Sequence, residues 1–250
     1  MCLSLLSRRE TFISWPEWVT TPWTSHSKSQ LDILFDNILV LPSILSQTDQ
    51  LALQVPTIER RYKIQALLQS CSSLEHTFEN WLAAQRPFDM WTEPTPSTEG
   101  GIPFESAFEF RDEMTALTLL YYWMSQLVFH RCTQNLYGLF FEPLLDGYHD
   151  IWPELPQSMP ATPGKYADCR NLAENICRAL DCVLTKTAQP DMLVGPMTLV
   201  VNYYRELQLT SRDGVLESMW LEAFKDRLIA KGQQMANVLQ SQRWVEVSTF

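Results

Sequence analysis

The sequence predicts an all-α protein, and three observations carry that expectation. Apolar residues recur with helical spacing through most of the chain. Glycine is scarce, 8 in 250 residues, while the 15 prolines gather in a few connecting segments. No alternation long enough for a strand stands out. Long helices joined by proline-containing loops fit this pattern better than a many-turned β fold. The expected architecture is a multi-helix bundle, one domain over residues 1–250, with two long irregular connections at about 86–103 and 142–165.

The first helix is expected after a tryptophan-rich lead, WPEWVTTPWTSHSKSQLD, from Trp15 to Asp32. Leu31, Leu34, Phe35, Ile38 and Leu39 form a stripe with i, i+3, i+4 spacing, and Ser27 or Ser29 is the cap. Pro42 splits the pattern, because proline lacks the amide donor and clashes with the preceding turn. Ser43 is then expected to cap the second half. Pro16 and Pro22 suggest an extended lead whose Trp18 and Trp23 pack on the first helix.

Glu59–Gln85 reads as a long helix with Ile64, Leu67, Leu68, Leu74, Phe78, Trp81 and Leu82 on its apolar side. The segment from Arg86 to Pro103 is rich in Pro, Thr, Glu and Gly and reads as a loop inserted within one domain. Phe104–Leu136 is the most apolar helix. Its residues Leu117, Leu120, Tyr121, Met124, Leu127 and Val128 mark one side, and Leu119, Tyr122, Trp123 and Phe129 fill much of the rest, as in a central helix. Three further helices are expected at Tyr166–Thr187, Met192–Leu209 and Val215–Gln240, punctuated by Pro190, Pro196 and the Asp213-Gly214 turn.

Charge and cysteine content exclude several functions. The formal net charge is −10, from 29 acidic and 19 basic residues. Nucleic-acid affinity comes largely from neutralising phosphates, so direct nucleic-acid binding is not expected. The six cysteines form no C-x-x-C pair, and their spacing suits neither a zinc knuckle nor a redox dithiol. The N-terminal apolar run is too short for a signal-peptide core, and Ala116–Phe129 is interrupted by Thr118, Ser125 and Gln126. A soluble intracellular protein, not bound to a membrane, is the expectation.

Two readings of chemistry compete with bland ones. Asp32 and Asp36 stand at i, i+4, where two carboxylates on one helix face can share a magnesium ion. Asn202 with Glu206 would be the facing set. The alternative is that both acids favour the positive end of the helix. His26, His76, His130 and His149 share no metal spacing, and His130 reads as a packed histidine beside the apolar helix. Cys132, two residues on, points to another side and gives no dyad. No G-x-S-x-G or phosphate-cradling glycine loop occurs. Nine tryptophans and twelve phenylalanines suit a core better than an apolar pocket.

Read as ordered blocks, the chain resembles the regulatory region of fungal binuclear zinc cluster transcription factors. The carrying residues are Arg8, Arg9, Thr11, Phe12, Pro16, Glu17, Trp18, Pro22, Trp23, Lys28, Ser29, Asp32, Asp36, Leu41, Pro42, Leu45, Asp49 and Leu51. Further along, Tyr122 and Trp123 resemble the family's aromatic pair, Gly195 and Pro196 its helix entry, and SQRWVEVSTF its tail. The zinc-cluster module that opens such proteins is missing here, together with the helices that normally precede the first block.

The resemblance implies a transcription-factor-like regulator without its own DNA-binding module, in the nucleus or cytoplasm. Such a protein would act through a protein partner or a small-molecule effector, with homo- or hetero-oligomers compatible. Fungal specialised-metabolite gene clusters are the implied setting. Trp18, Trp23, Tyr122, Trp123 and His130 are the candidate contacts. No cofactor is implied. The alternative is a helical enzyme of specialised metabolism, such as a cyclase acting on an apolar substrate, with Asp32 and Asp36 holding magnesium. A closed aromatic cavity would favour that enzyme, and a filled core with an exposed apolar face would favour the regulator.

Overall fold

A computed structural model describes residues 2–85, 88–95, 103–146 and 153–241, with side chains from residue 4 to residue 234. The protein is mostly helical, 71% helix, with one small antiparallel hairpin. The central element is α6, Glu113–Phe141. It starts where the Asp112 side chain accepts from the Thr115 amide at 2.8 Å, which satisfies one of the amides left free at a helix start. Buried residues cover nearly its whole circumference, including the polar Thr118, Ser125 and Gln126 that interrupt its apolar run. The Ser125 hydroxyl is satisfied within the helix, donating to the Tyr122 carbonyl at 2.8 Å.

Around α6 pack α3 (Gln30–Ile38), α4 (Leu41–Ala52), α5 (Ile58–Ala83), the short α7 (Gly164–Ala167), α8 (Arg170–Lys186) and α9 (Val194–Ser211). The last helix, α10 (Val215–Ser241), lies on α8 and α9. One continuous buried cluster runs from Leu5 to Leu228. Among the described residues, Gln30–Ala52 has the length and apolarity of a membrane span, with a mean hydropathy of 1.2. It is nevertheless two helices meeting at Leu39–Val40, and Leu34, Ile38, Leu41, Ile44 and Leu45 are spent in the protein core.

The expected stripe of α3 is present, and Ser29 caps it in a reciprocal box with Asp32. Four expectations need correction. Ser43 does not cap α4; Val40 precedes the helix without a side-chain cap, and Pro42 sits in the first turn, where a missing amide costs no hydrogen bond. The prolines of the lead likewise start helical turns and do not extend it. Pro16 opens α2 (Pro16–Thr20), and Pro22 sits in a 3-10 turn, Thr21–Trp23. Tyr166 belongs to α7, so the next helix starts only at Arg170.

The fourth correction is a hairpin. β1 (Met90–Pro94) pairs with β2 (Ser106–Phe110) antiparallel, with Thr92 opposite Phe108. β1 lies inside the segment expected to be loop, and β2 lies inside the expected start of the central helix. The alternation of β2 turns Phe108 and Phe110 into the core. Residues 86, 87, 96–102, 147–152 and 242–250, parts of the two connections and the C-terminal tail, lie outside the described residues.

Candidate functional site

The five candidate contact residues occupy different surroundings. Trp18 is half-exposed and meets Phe12 edge-on at 5.5 Å between ring centroids. Trp23 is tied to α3 indirectly: the Lys28 ammonium lies 5.6 Å from its ring and pairs with Asp36. Tyr122 and Trp123, adjacent on α6, pack in opposite directions. Tyr122 stacks on Trp81 of α5 at 5.5 Å, while Trp123 stacks on Phe108 of β2 at 5.3 Å.

His130, two turns after Tyr122, faces α5 and α7 and lies edge-on to Tyr166 at 5.4 Å. Its Nδ1 is buried without a hydrogen-bond partner. Burial lowers its pKa from the usual value; Glu75 opposes that shift and Lys165 adds to it. Glu75 is otherwise engaged, accepting from Tyr166 Oη at 2.8 Å and pairing with Lys165 at 2.8 Å. Burial and Glu75 together raise the Tyr166 phenol, so it stays a neutral donor. This is a satisfied knot around an unpaired imidazole nitrogen.

The magnesium reading of Asp32 and Asp36 finds its carboxylates already committed. Asp32 Oδ2 accepts from the Ser29 amide at 2.9 Å and the Ser29 hydroxyl at 2.6 Å, and Asp36 pairs with Lys28. Glu206 of the facing pair is held by Arg131. Among the described residues no group of three or more His, Cys, Asp or Glu side chains is arranged to hold a metal. The aromatic residues contact one another: Phe78, Tyr122, Phe129 and Tyr166 form a chain of rings within the core.

The arrangement that stands out is on the far side of the bundle. The inner side of α10 carries Trp220, Leu221, Phe224 and Leu228, all buried. Two cations pin that side to α8. Arg227 pairs with Asp181 at 2.8 Å, and Lys231 donates to the carbonyl oxygens of Leu184 and Thr185 at the α8 C-terminus, where helix carbonyls favour a positive charge. The loop Ala188–Gln189 and the 3-10 turn Pro190–Leu193 then lead into α9 beside α10.

Between them lies a groove of about 600 Å³. Its walls are Pro190, Val194, Met197, Leu228 and Ile229, with Asp191 and Lys225 as the charged rim. Val194 is 47% exposed and Ile229 49%. In the first turns of α10, Leu216 and Met219 are also exposed, on a side of the helix away from the groove. An exposed apolar groove with a charged rim is the mark of an interaction surface more than of a reaction chamber.

The groove's residues were visible in the sequence only as helix-spaced apolar positions. Which of them stay uncovered depends on how α10 docks. Comparison with known protein families, with curated proteins and with solved structures finds no match.

Proposed function

We propose that this protein is a transcription-factor-like regulatory protein, acting through a partner protein seated on the α9–α10 groove. The observation that carries this reading is the exposed apolar groove, set against a core whose aromatic rings pack on one another. A groove of this form takes the apolar face of an amphipathic helix, with Asp191 at its rim for a cation on the flank, while Lys225 is paired with Glu222 at 2.8 Å.

The resemblance of the N-terminal block and the aromatic pair to fungal zinc cluster regulators supports a role in gene regulation, in the setting of a specialised-metabolite gene cluster. The charge of −10 supports an indirect effect on transcription, through protein contact in place of DNA contact. The cyclase alternative has no supporting observation: the carboxylates it needs are engaged in a helix cap and an ion pair. Deleting the gene tests the reading. A coherent set of transcripts is expected to change, and unchanged transcript levels would contradict it.

A further inference from the structure

A second groove, lined on α9 by Leu199, Asn202 and Glu206, has a different chemistry. It lies where α1 (Cys2–Ser7) crosses α4 and α9, with α6 beneath, and it holds about 580 Å³. Leu5, Leu45 and Val128 supply an apolar floor, all buried. Above the floor stand three carboxamides, Gln134, Asn135 and Asn202, all exposed. Among the described residues none of these amides hydrogen-bonds to another protein group, so their donors and acceptors are open to a ligand.

Charges stand at the rim, but in neutralised pairs. Arg8 pairs with Asp49 at 2.9 Å, and Arg131 with Glu206. A charged ligand would have to displace one of these partners, whereas a neutral one would not. An apolar floor, free amides and compensated charges in a volume of drug size give a half-open groove able to seat a small molecule on its floor.

We infer that this groove binds a neutral small molecule with an apolar ring body and carbonyl or hydroxyl groups on its edge. The floor takes the body, and the three carboxamides read the oxygen groups as donors and acceptors. This site is separate from the α9–α10 groove and does not depend on its role. Gly138 makes it testable. It is a helical glycine of α6 at the groove wall, and a Cβ built there meets nothing within 4 Å. A side chain begun there meets no neighbour at its Cβ, and the substitution removes a glycine from a helix interior.

The probe is the neutral naphthalene ketone prodan, titrated into the full chain and followed by its emission. The expected result is saturable binding with a blue shift, weakened at least about tenfold by Gly138→Leu at an equal or higher melting temperature. Asn202→Ala is expected to weaken binding about threefold or more, which keeps the test open should Gly138→Leu not fold. Ile229→Glu, in the other groove, is expected to leave binding unchanged. The anionic 8-anilinonaphthalene-1-sulfonate is expected to bind this groove at least about tenfold more weakly. The inference is overturned by absence of saturable binding, by unchanged binding in both groove variants, by loss of binding in Ile229→Glu, or by equal affinity for the anionic probe.

Discussion

The guanidinium of Arg178 lies 3.9 Å from the centroid of the Phe108 ring. It also donates from Nε to the Ser106 carbonyl at 2.8 Å and from an Nη to the Ser106 hydroxyl at 2.7 Å. Phe108 in turn stacks on Trp123, so Arg178 ties the hairpin to the central helix, beside Lys186 of α8, which pairs with Glu109 at 3.1 Å and donates to the Phe110 carbonyl.

Arg178→Ala is therefore expected to lower stability by about 2–3 kcal/mol, from the lost cation–π contact and two hydrogen bonds to a charged donor. Arg178→Lys is expected to recover less than half, because a lysine ammonium cannot stack flat while donating through two nitrogens. Chemical denaturation of the three proteins reads this. Full recovery by lysine would show that charge alone holds the hairpin.

The turn between α9 and α10 joins the two helices through left-handed backbone. Arg212 and Gly214 both have positive φ, 57° and 79°. A Cβ on Gly214 would stand 2.8 Å from Cδ1 of the buried Tyr204. Gly214→Ala is expected to cost about 1–3 kcal/mol, combining left-handed strain with that clash. Arg212→Gly is expected to be neutral or slightly stabilising, since its side chain is exposed and its backbone conformation is one glycine adopts freely. Thermal melts compare the two.

His130 gives a pH dependence with a definite sign. Burial depresses its folded-state pKa below the ordinary 6.5. Below pH 6.5 the unfolded chain binds a proton that the folded chain refuses, so this residue's contribution is present above that pH and is lost as pH falls towards the depressed value. Glu75, Lys165 and Tyr166 face the ring and remain in place in the variant tested. His130→Phe is expected to flatten stability between pH 5 and 7, with no unpaired nitrogen left in the ring cluster. A wild-type slope retained in that variant would assign the dependence elsewhere.

Asp32 is a cap residue in this account. Asp32→Ala is expected to cost about 1 kcal/mol, the usual worth of a helix N-terminal contact. Millimolar magnesium is expected to leave the melting temperatures of wild type and variant unchanged. A magnesium-dependent rise in wild type alone would restore the metal reading.

What could be read in advance was local. The α3 stripe, the Ser29 cap and the all-round apolar character of α6 follow from spacing and residue type. The hairpin was hidden because Met90–Pro94 carries no alternation and leaves most of its side chains exposed. It is a strand through pairing with Ser106–Phe110, a contact between segments distant in sequence. Val40 and Pro42 show the same limit at a helix start: proline marked the break, but the docking of α4 set where the turn begins. Trp18 and Trp23 looked alike in the sequence, but the first packs on Phe12 while Lys28 links the second to Asp36. The groove escaped for a tertiary reason: Val194 and Ile229 have the same periodicity as buried neighbours, and exposure comes from the gap between α9 and α10.

The most direct test of the central claim is transcript profiling of a strain carrying Ile229→Glu at the native locus and at normal protein level. Ile229 is half-exposed on the groove wall, so the substitution is expected to leave folding nearly unchanged while placing a charge where the partner's apolar face must sit. The same transcript changes as in gene deletion are expected. Wild-type transcript levels in that strain, beside a clear deletion phenotype, would contradict it.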